Sequence, residues 1–157
     1  MKLYLIQHGD AVGEQVDPER PLSLRGRADI EGLAAQMLRD GVEVERIINS
    51  GKLRARQTAD MIAAVIAPTL SVEDIADGLR PKDSTDWLAG SLEQWTGDTL
   101  AVGHLPFMAK MVSRLVTGSD NTGVVSFVPG TGVCLARGEN TDGWTIDWMI
   151  KPDLLRP

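Results

Sequence analysis

The chain has two histidines, His8 and His104, and each of them directly follows a short apolar segment. Short runs of this kind, with β-branched or aromatic residues, favour buried strands. Ligands of α/β sheets bind beyond the carboxyl ends of the strands, where these two side chains would lie. A neutral imidazole is nucleophilic near pH 7 because its ordinary pKa is about 6.5. Either histidine alone is better explained as a structural residue, but the pair indicates a shared catalytic site.

Arg54 is the third residue that fits this chemistry, within the segment Ser50-Gly-Lys-Leu-Arg-Ala-Arg-Gln-Thr58. We expect Arg54 in the first turn of a helix, where the helix dipole favours anions. Its guanidinium can bind two phosphate oxygens at once. Taken with the histidines, Arg54 favours phosphoryl transfer, which needs a nucleophile in line with phosphorus and positive donors around the other oxygens.

Groups next to the two histidines would complete an anion site. Gly9 lacks a Cβ, which would allow the backbone to approach a substrate closely. Pro106 suits the first turn of a helix, so the backbone N–H groups at that helix start, from Leu105 onward, would be available to the anion. If protonated, the imidazole of His104 would add a further donor.

Alternating strands and helices are expected to position these residues. The predicted strands cover 2–7, 46–49, 70–73 and 99–103, and the predicted helices cover 24–40, 53–66, 84–95 and 107–117. Three more strands, at 124–128, 132–137 and 144–150, follow without intervening helices. This order predicts an α/β fold with a mainly parallel sheet, covered on both sides and extended at its edge by antiparallel strands. All 157 residues are expected to form one domain.

The spacing of apolar residues predicts which helix faces are buried. Ser23 is a suitable N-cap for the first helix, and Gly41 is a suitable stop. In the last strand, apolar residues from Trp144 to Trp148 alternate with polar ones and predict one apolar face. The residues expected to face the core are Ile30, Leu33, Ala34, Met37 and Leu38 in the first helix, Met61, Ile62, Val65 and Ile66 in the second, Leu88, Leu92 and Trp95 in the third, and Phe107, Met108, Met111, Val112, Leu115 and Val116 in the fourth.

Composition limits the range of functions. The net charge of −6 argues against a nucleic-acid-binding protein, which would need a basic surface. Neither a signal peptide nor a transmembrane span is apparent, and Cys134 is the only cysteine, so we expect a cytoplasmic protein that does not bind membranes. No metal and no cofactor are expected, because there is no dinucleotide fingerprint, no Walker lysine loop and no metal-ligand spacing. The composition leaves the oligomeric state open and is compatible with a monomer.

Three segments resemble the motifs of the histidine phosphatase superfamily, namely Leu5-Ile-Gln-His-Gly-Asp-Ala11, Ser50–Thr58 and Gly103-His-Leu-Pro106. The short length and the Pro21-Leu-Ser-Leu24 segment are similar to its SixA branch of phosphohistidine phosphatases. The resemblance covers nearly the whole chain and implies a three-layer α/β/α sandwich of the phosphoglycerate mutase-like type. It also implies a reaction that runs through a phosphohistidine intermediate.

The same resemblance assigns roles to individual residues. It implies that His8 is the nucleophile, that Arg54 binds the phosphate and that His104 is the second histidine of the pocket. Gln7, Gly9 and Leu105 would complete the phosphate site beside them. The implied partner is a phosphohistidine-bearing protein, for example a phosphotransfer domain, whose role would be in signal transduction.

One position departs from the family motif, since Gln7 stands where the family has arginine. An amide donates only neutral hydrogen bonds, and charged ones are roughly twice as strong. Losing such a donor could lower the rate on the order of 10²-fold. Replacing Gln7 by arginine is therefore expected to raise turnover, unless another cation, with Arg25 and Arg27 as candidates, already fills the place.

Two other functions remain open at this stage. One is a module that binds phosphate or a phosphoprotein without turnover, because Gln7 weakens the site. The other is a phosphatase of small phosphomonoesters, which would need a general acid to protonate an alkoxide leaving group. Three carboxylates lie in suitable loops for that role: Asp10, Asp83 and Asp86. A phosphohistidine substrate needs less help, because an imidazole leaves more easily, and the compact chain favours such a protein substrate.

Overall fold

Six strands form one mixed sheet around the first segment of the chain, β1 (Lys2–Gln7). The computed structural model describes residues 1–139 and 142–157. The strand order is β3-β2-β4-β1-β5-β6, and β3, β2, β4 and β1 run parallel to one another. The last two strands pair antiparallel, as predicted. The bounds of the other strands are Arg46–Asn49 (β2), Val72–Asp74 (β3), Thr99–Gly103 (β4), Gly132–Arg137 (β5) and Trp144–Ile150 (β6).

Four helices cover the two faces of this sheet. Helices α1 (Leu24–Arg39) and α2 (Leu53–Ile66) share one apolar core with Tyr4 and Ile6 of β1. Helices α3 (Asp86–Gln94) and α4 (Phe107–Thr117) share a second core with Leu3 and Leu5 of the same strand. Successive side chains of a strand point to opposite faces, so β1 supplies both cores in turn. The predicted three-layer α/β/α sandwich is confirmed.

The ends of the helices follow the predicted capping signals. Ser23 accepts the N–H of Gly26 at the start of α1, and Gly41 has a positive φ of 68° after its end. At the start of α3 the N-cap is Thr85, although the predicted cap Ser84 still accepts the N–H of Asp86. A 3₁₀ turn at Pro152–Leu154 ends the chain's regular structure.

Three of the predicted core positions are wrong, because the buried face of each helix is narrower than its apolar pattern. Leu38, Val65 and Val116 are exposed rather than buried. The buried face of α2 is built largely from small residues, which continue the line of Ile62 along the helix: Ala55, Thr58, Ala59 and Ala63. Such residues let α2 lie close to its neighbours. The predicted core position of Cys134 is confirmed by its full burial.

Two predictions about the last third of the chain are wrong. Residues 124–128 form no strand and lie outside the sheet. The segment instead buries Phe127 against the second core. A register shift between Cys134 and Leu135 places Trp144 in the second core and Trp148 against the first, so β6 has no single apolar face. The predicted turn before β6 includes positions 140 and 141, which lie outside the described residues.

The first turn of α1 is pressed against the backbone that follows His8, and this contact predicts a stability effect. A Cβ added at Gly26 would overlap the carbonyl oxygen of Asp10. We expect Gly26→Ala to lower the free energy of unfolding by about 1–3 kcal/mol, as overpacking does, and Tm by roughly 3–10 °C. Thermal unfolding by circular dichroism measures this.

Gly32→Ala is the matched control, because the new Cβ would lie 3.8 Å from Leu155 Cβ, an ordinary contact, on the same helix. It should raise Tm, since alanine favours a helix interior over glycine. Equal Tm values for the two variants would contradict the packing described for Gly26.

No helix in residues 1–139 and 142–157 combines the length and the apolarity needed to traverse a lipid bilayer.

Candidate active site

The carboxyl ends of neighbouring parallel strands bring the two histidines together. β1 and β4 stay in register to their last residues, with Gln7 opposite Gly103, so His8 and His104 follow at the same level. The backbone N–H of His8 donates to the carbonyl of Gly103 at 3.0 Å. The centroids of the two imidazole rings lie 4.9 Å apart, and their planes are inclined by 56°.

The guanidinium of Arg54 meets the same pair. Arg54 is the second residue of α2, and its Nε lies 3.3 Å from Nε2 of His8. Two imidazoles and one guanidinium that are far apart in the chain thus share one place, beside the amino end of a helix. Positive donors and a helix dipole at one point are the features that bind phosphate.

Hydrogen bonds fix the orientation and the tautomer of His8. Its Nδ1 lies 2.7 Å from the carbonyl oxygen of Gly9, which can only accept, so Nδ1 carries the proton. Nε2 then holds the lone pair and accepts from Arg54. An imidazole held in this way presents an unprotonated nitrogen as the nucleophile.

Both imidazoles are neutral in the free protein. Burial is the main cause that lowers the pKa of His8 to about 4, with the charges of Arg54 and Arg20 adding to it against the opposing bond to Gly9. Burial also lowers the pKa of His104 to about 3, helped by the charge of His8 and by nearby cations. A neutral His8 suits a nucleophile, whereas the low pKa of His104 disfavours the cationic form considered for it.

Ser50 orients His104, a contact that the sequence analysis missed. Ser50 Oγ lies 2.7 Å from Nε2 of His104 and accepts the N–H of Lys52 at 3.4 Å. This contact fixes the orientation of the ring through its Nε2 atom. The Nδ1 atom of His104 is buried and has no hydrogen-bond partner within the described residues. Ser50 directly follows β2, at the same end of the sheet as both histidines, and this position is the sequence signal that could have identified it.

The low pKa values predict an acid titration that can be measured directly, because the chain has only two histidines. In ¹⁵N NMR spectra both imidazoles should be neutral near pH 7 and titrate near pH 4 for His8 and near pH 3 for His104, and the neutral form of His8 should be protonated at Nδ1. The histidines of the unfolded state bind protons below about pH 6.5, whereas those of the folded state bind them only near their lower pKa values. Between these pKa values the unfolded state therefore holds more protons, and the free energy of unfolding should decrease as the pH is lowered. A His8 midpoint near pH 6.5 would contradict the burial described.

Gly9 plays a different part from the one predicted. A Cβ at Gly9 would lie 2.9 Å from Ile30 Cγ1 and 3.0 Å from the carbonyl oxygen of Gly26, so the missing side chain admits α1, not a substrate. The N–H of Gly9 donates to Thr58 Oγ1 at 3.0 Å and is not free for phosphate. Thr58 in turn donates to the carbonyl of Arg54, which ties the segment after His8 to α2.

Gln7 and Leu105 lie beside the histidines. Gln7 is buried, and its Oε1 has no hydrogen-bond partner within the described residues. The Leu105 side chain is partly exposed, and a cis peptide bond joins Leu105 to Pro106, which is the N-cap of α4. Within residues 1–139 and 142–157 no three His, Cys, Asp or Glu side chains are placed to hold a metal ion.

The charges of two residues in the loop before α1, Arg20 and Glu14, act on the site and were not predicted. The positive charge of Arg20 acts on His8, His104 and Arg54 alike, and the negative charge of Glu14 acts on Arg54. Burial and the charge of Arg20 lower the pKa of Arg54, and Glu14 opposes this. These residues stand outside any motif, so only the folded loop reveals them.

Comparisons with known proteins agree with this geometry. The chain is 26% identical over 157 residues to the phosphohistidine phosphatase SixA of Escherichia coli (strain K12), covering 97% of this chain and 94% of that protein. It is 30% identical over 126 residues to an uncharacterized protein of Picosynechococcus sp. (strain ATCC 27264 / PCC 7002 / PR-6), covering 75% of this chain and 74% of that one. No protein-family model matches the chain.

A solved structure of the protein histidine phosphatase SixA complexed with tungstate superposes with a TM-score of 0.86. The two chains are 24% identical, and the match covers 99% of this chain and 100% of that one. The chain belongs to the SixA branch of the histidine phosphatase superfamily. The predicted phosphoglycerate mutase-like fold is thereby confirmed. The predicted enzyme class, a phosphatase, is confirmed as well, since the relatives and structural neighbours from this superfamily are phosphatases.

Proposed function

We propose that this SixA-like protein removes phosphate from a phosphohistidine of a partner protein, with His8 as the nucleophile. The observation that carries the proposal is the state of His8, neutral, protonated on Nδ1 and in contact with Arg54 through Nε2. A nucleophile, a guanidinium and a second imidazole would then act together on one phosphoryl group. Tungstate, an oxyanion of the same tetrahedral shape as phosphate, is bound by the SixA protein whose fold matches.

The first half of the reaction transfers the phosphoryl group to His8. The lone pair on Nε2 of His8 attacks phosphorus, and the bond from phosphorus to the substrate imidazole breaks with its electron pair going to the substrate nitrogen. The His8 ring gains positive charge as the new bond forms, and the carbonyl of Gly9 stabilises it through the Nδ1 hydrogen bond. Arg54 and His104 would bind the oxygens of the transferred group.

The second half releases phosphate. A water molecule attacks phosphorus, the bond from phosphorus to Nε2 of His8 breaks, and the electron pair returns to the ring. The water gives up one proton, and the products are inorganic phosphate and neutral His8. Because the pKa of His8 is about 4, the released imidazole stays unprotonated near pH 7 and is ready for another turnover.

The acids considered for an ester-cleaving enzyme are engaged elsewhere. Asp10 accepts the hydroxyl of Ser23, and Asp83 accepts the N–H groups of Gly78 and Arg80. Asp86 pairs with Arg114. With these three carboxylates occupied, the site favours an imidazole leaving group over an alkoxide, which needs a stronger acid.

We infer that the partner is a phosphotransfer protein of a cytoplasmic signalling system. The assay uses a phosphotransfer domain carrying ³²P-phosphohistidine and measures the release of inorganic phosphate, with a sugar phosphate as the competing substrate. Loss of label from the domain, with little hydrolysis of the sugar phosphate, is the expected result. Binding of the domain without release would favour the non-catalytic module, and faster hydrolysis of the sugar phosphate would favour the phosphomonoesterase.

Glu14 provides a matched control for that comparison. Its charge acts on Arg54, so it is a carboxylate near the site that could serve as an acid for esters. We expect Glu14→Gln to leave hydrolysis of the phosphohistidine domain within about twofold of the wild type, because the leaving imidazole needs little protonation. A large loss with the phosphohistidine substrate would show that an acid is required after all.

A further inference from the structure

A closed ring of hydrogen bonds joins the two sides of the His8 imidazole. Nδ1 of His8 donates to the carbonyl of Gly9 at 2.7 Å, and Nε2 accepts from Nε of Arg54 at 3.3 Å. The N–H of Gly9 donates to Thr58 Oγ1 at 3.0 Å, and that hydroxyl donates to the carbonyl of Arg54 at 2.8 Å. Both nitrogens of the nucleophile are therefore bonded to residues that a single hydroxyl connects.

The hydroxyl of Thr58 uses its hydrogen-bonding groups inside the protein. Thr58 is 0% exposed and belongs to the buried face of α2, with Ala55 and Ala59. Its one proton goes to the carbonyl of Arg54, one helical turn earlier, so its oxygen accepts from Gly9. Because solvent does not reach Thr58, a side chain without a hydroxyl would leave the N–H of Gly9 without its partner.

The main chain of His8 is fixed by bonds outside this ring. Its N–H donates to the carbonyl of Gly103 at 3.0 Å, and its carbonyl accepts the N–H of Gly130 at 3.0 Å. These bonds place the backbone of His8, but they do not determine how the imidazole is turned about its side-chain bonds. That orientation depends on the bonds at Nδ1 and Nε2, whose partners Gly9 and Arg54 are joined by the ring.

The orientation of the imidazole decides how well it can react. Phosphoryl transfer needs Nε2 in line with the bond that breaks, and a misplacement of about 1 Å lowers a rate on the order of 10²-fold. It also needs the lone pair on Nε2 and the proton on Nδ1. A residue that fixes both acts on the rate of transfer, whereas affinity for the anion depends mainly on the charges nearby.

We propose that Thr58 is a positioning residue for the nucleophile, because its hydroxyl bonds Gly9 and Arg54 at once and so fixes both the tautomer of His8 and the direction of Nε2. The inference rests on the proposed function for the reaction of His8 and on the hydrogen-bond ring for the part of Thr58. Thr58 acts through its two partners in the ring and not through a bond of its own to the imidazole.

The test compares Thr58→Val with Thr58→Ser. Valine keeps the shape of threonine and removes the hydroxyl, whereas serine keeps the hydroxyl and removes the methyl group. The ¹⁵N NMR shifts of His8 without ligand report its tautomer and need no turnover. The wild type and Thr58→Ser should show the Nδ1-protonated form alone, and Thr58→Val should show a mixture of the two neutral tautomers.

Kinetics and binding should respond differently in the same two variants. The single-turnover rate of transfer from a phosphohistidine domain should fall about 10- to 100-fold in Thr58→Val and less than about threefold in Thr58→Ser. Kd for inorganic phosphate should stay within about threefold of the wild type in both, because the charge of Arg54 remains. A loss of rate without a loss of affinity distinguishes positioning from general damage to the site.

Thr117→Val is the matched control for the chemical change. Thr117 donates to the carbonyl of Ser113 at 2.8 Å, the same bond to the residue four positions earlier, near the end of α4. Its rate should stay within about twofold of the wild type, as for a substitution outside the site. Thr58→Ala removes the hydroxyl without adding a methyl group near Gly9 and should match Thr58→Val, whether or not valine folds well.

The outcomes separate this inference from the proposed function. Hydroxyl-free variants of Thr58 that keep the Nδ1-protonated His8 and the wild-type transfer rate would overturn the inference and leave the proposed function standing. Equal losses of rate in Thr58→Val and Thr58→Ser would also overturn it, since packing and not the hydroxyl would then be responsible. An altered His8 tautomer, in a protein whose wild type never dephosphorylates a phosphohistidine domain, would support the role of Thr58 and overturn the proposed function.

Discussion

His8→Ala is expected to lower turnover of a phosphohistidine domain on the order of 10⁶-fold, the scale seen when the nucleophile of a covalent enzyme is removed. The second imidazole cannot replace it, because His104 is buried and its Nε2 contacts Ser50. The measurement is single-turnover release of ³²P-phosphate from the labelled domain, with excess enzyme.

Its control is phosphate binding by the same variant. Loss of a neutral imidazole should weaken phosphate binding far less than it lowers the rate, because the charge of Arg54 remains. Retention of more than a hundredth of the wild-type rate by His8→Ala would mean that water attacks the substrate directly, and the covalent route would be wrong.

Arg54→Lys should have the second-largest effect, lowering kcat on the order of 10²- to 10³-fold, as removal of a transition-state donor does. Lysine keeps a positive charge but offers a point charge instead of a planar fork. It also loses the hydrogen bond from Nε of Arg54 to Nε2 of His8, which spans 3.3 Å and sets the position of the nucleophile. Single-turnover rates at saturating substrate separate this loss from weaker binding.

Arg56 provides the matched control for Arg54, two residues further along the same helix. Its guanidinium pairs with Asp60 and Asp74 on the protein surface, away from the two histidines. Arg56→Lys should leave kcat within about twofold of the wild type. Equal losses in the two variants would show that the charge of α2 as a whole, not the fork of Arg54, supports catalysis.

Most of the fold could be predicted because its signals are local. The apolar run of β1, the cap at Ser23 and the glycine at position 41 depend only on neighbouring residues, and each appears where expected. The strand predicted at 124–128 fails because this segment packs Phe127 into the second core and does not pair with the sheet, a tertiary contact that no local pattern records.

The residues of the candidate site were likewise predictable only where a local sequence signal positions them. His8, Arg54 and His104 could be placed together because each follows a strand or opens a helix at the same edge. The neutral state of His104 depends on its 2% exposure, a property of the folded chain. Arg20 could not be identified, because its position results from the closure of a loop whose hydrogen bonds connect residues far apart in sequence.

The most direct test of the central claim is to trap the phosphorylated protein. Enzyme and ³²P-labelled phosphotransfer domain are mixed and quenched within one turnover at alkaline pH, where phosphohistidine survives, and the label is located by mass spectrometry. Transient label on Nε2 of His8 in the wild type, and none in His8→Ala, is the result expected. Phosphate release by the wild type with no label at any time, or with label on His104 alone, would contradict the role of His8.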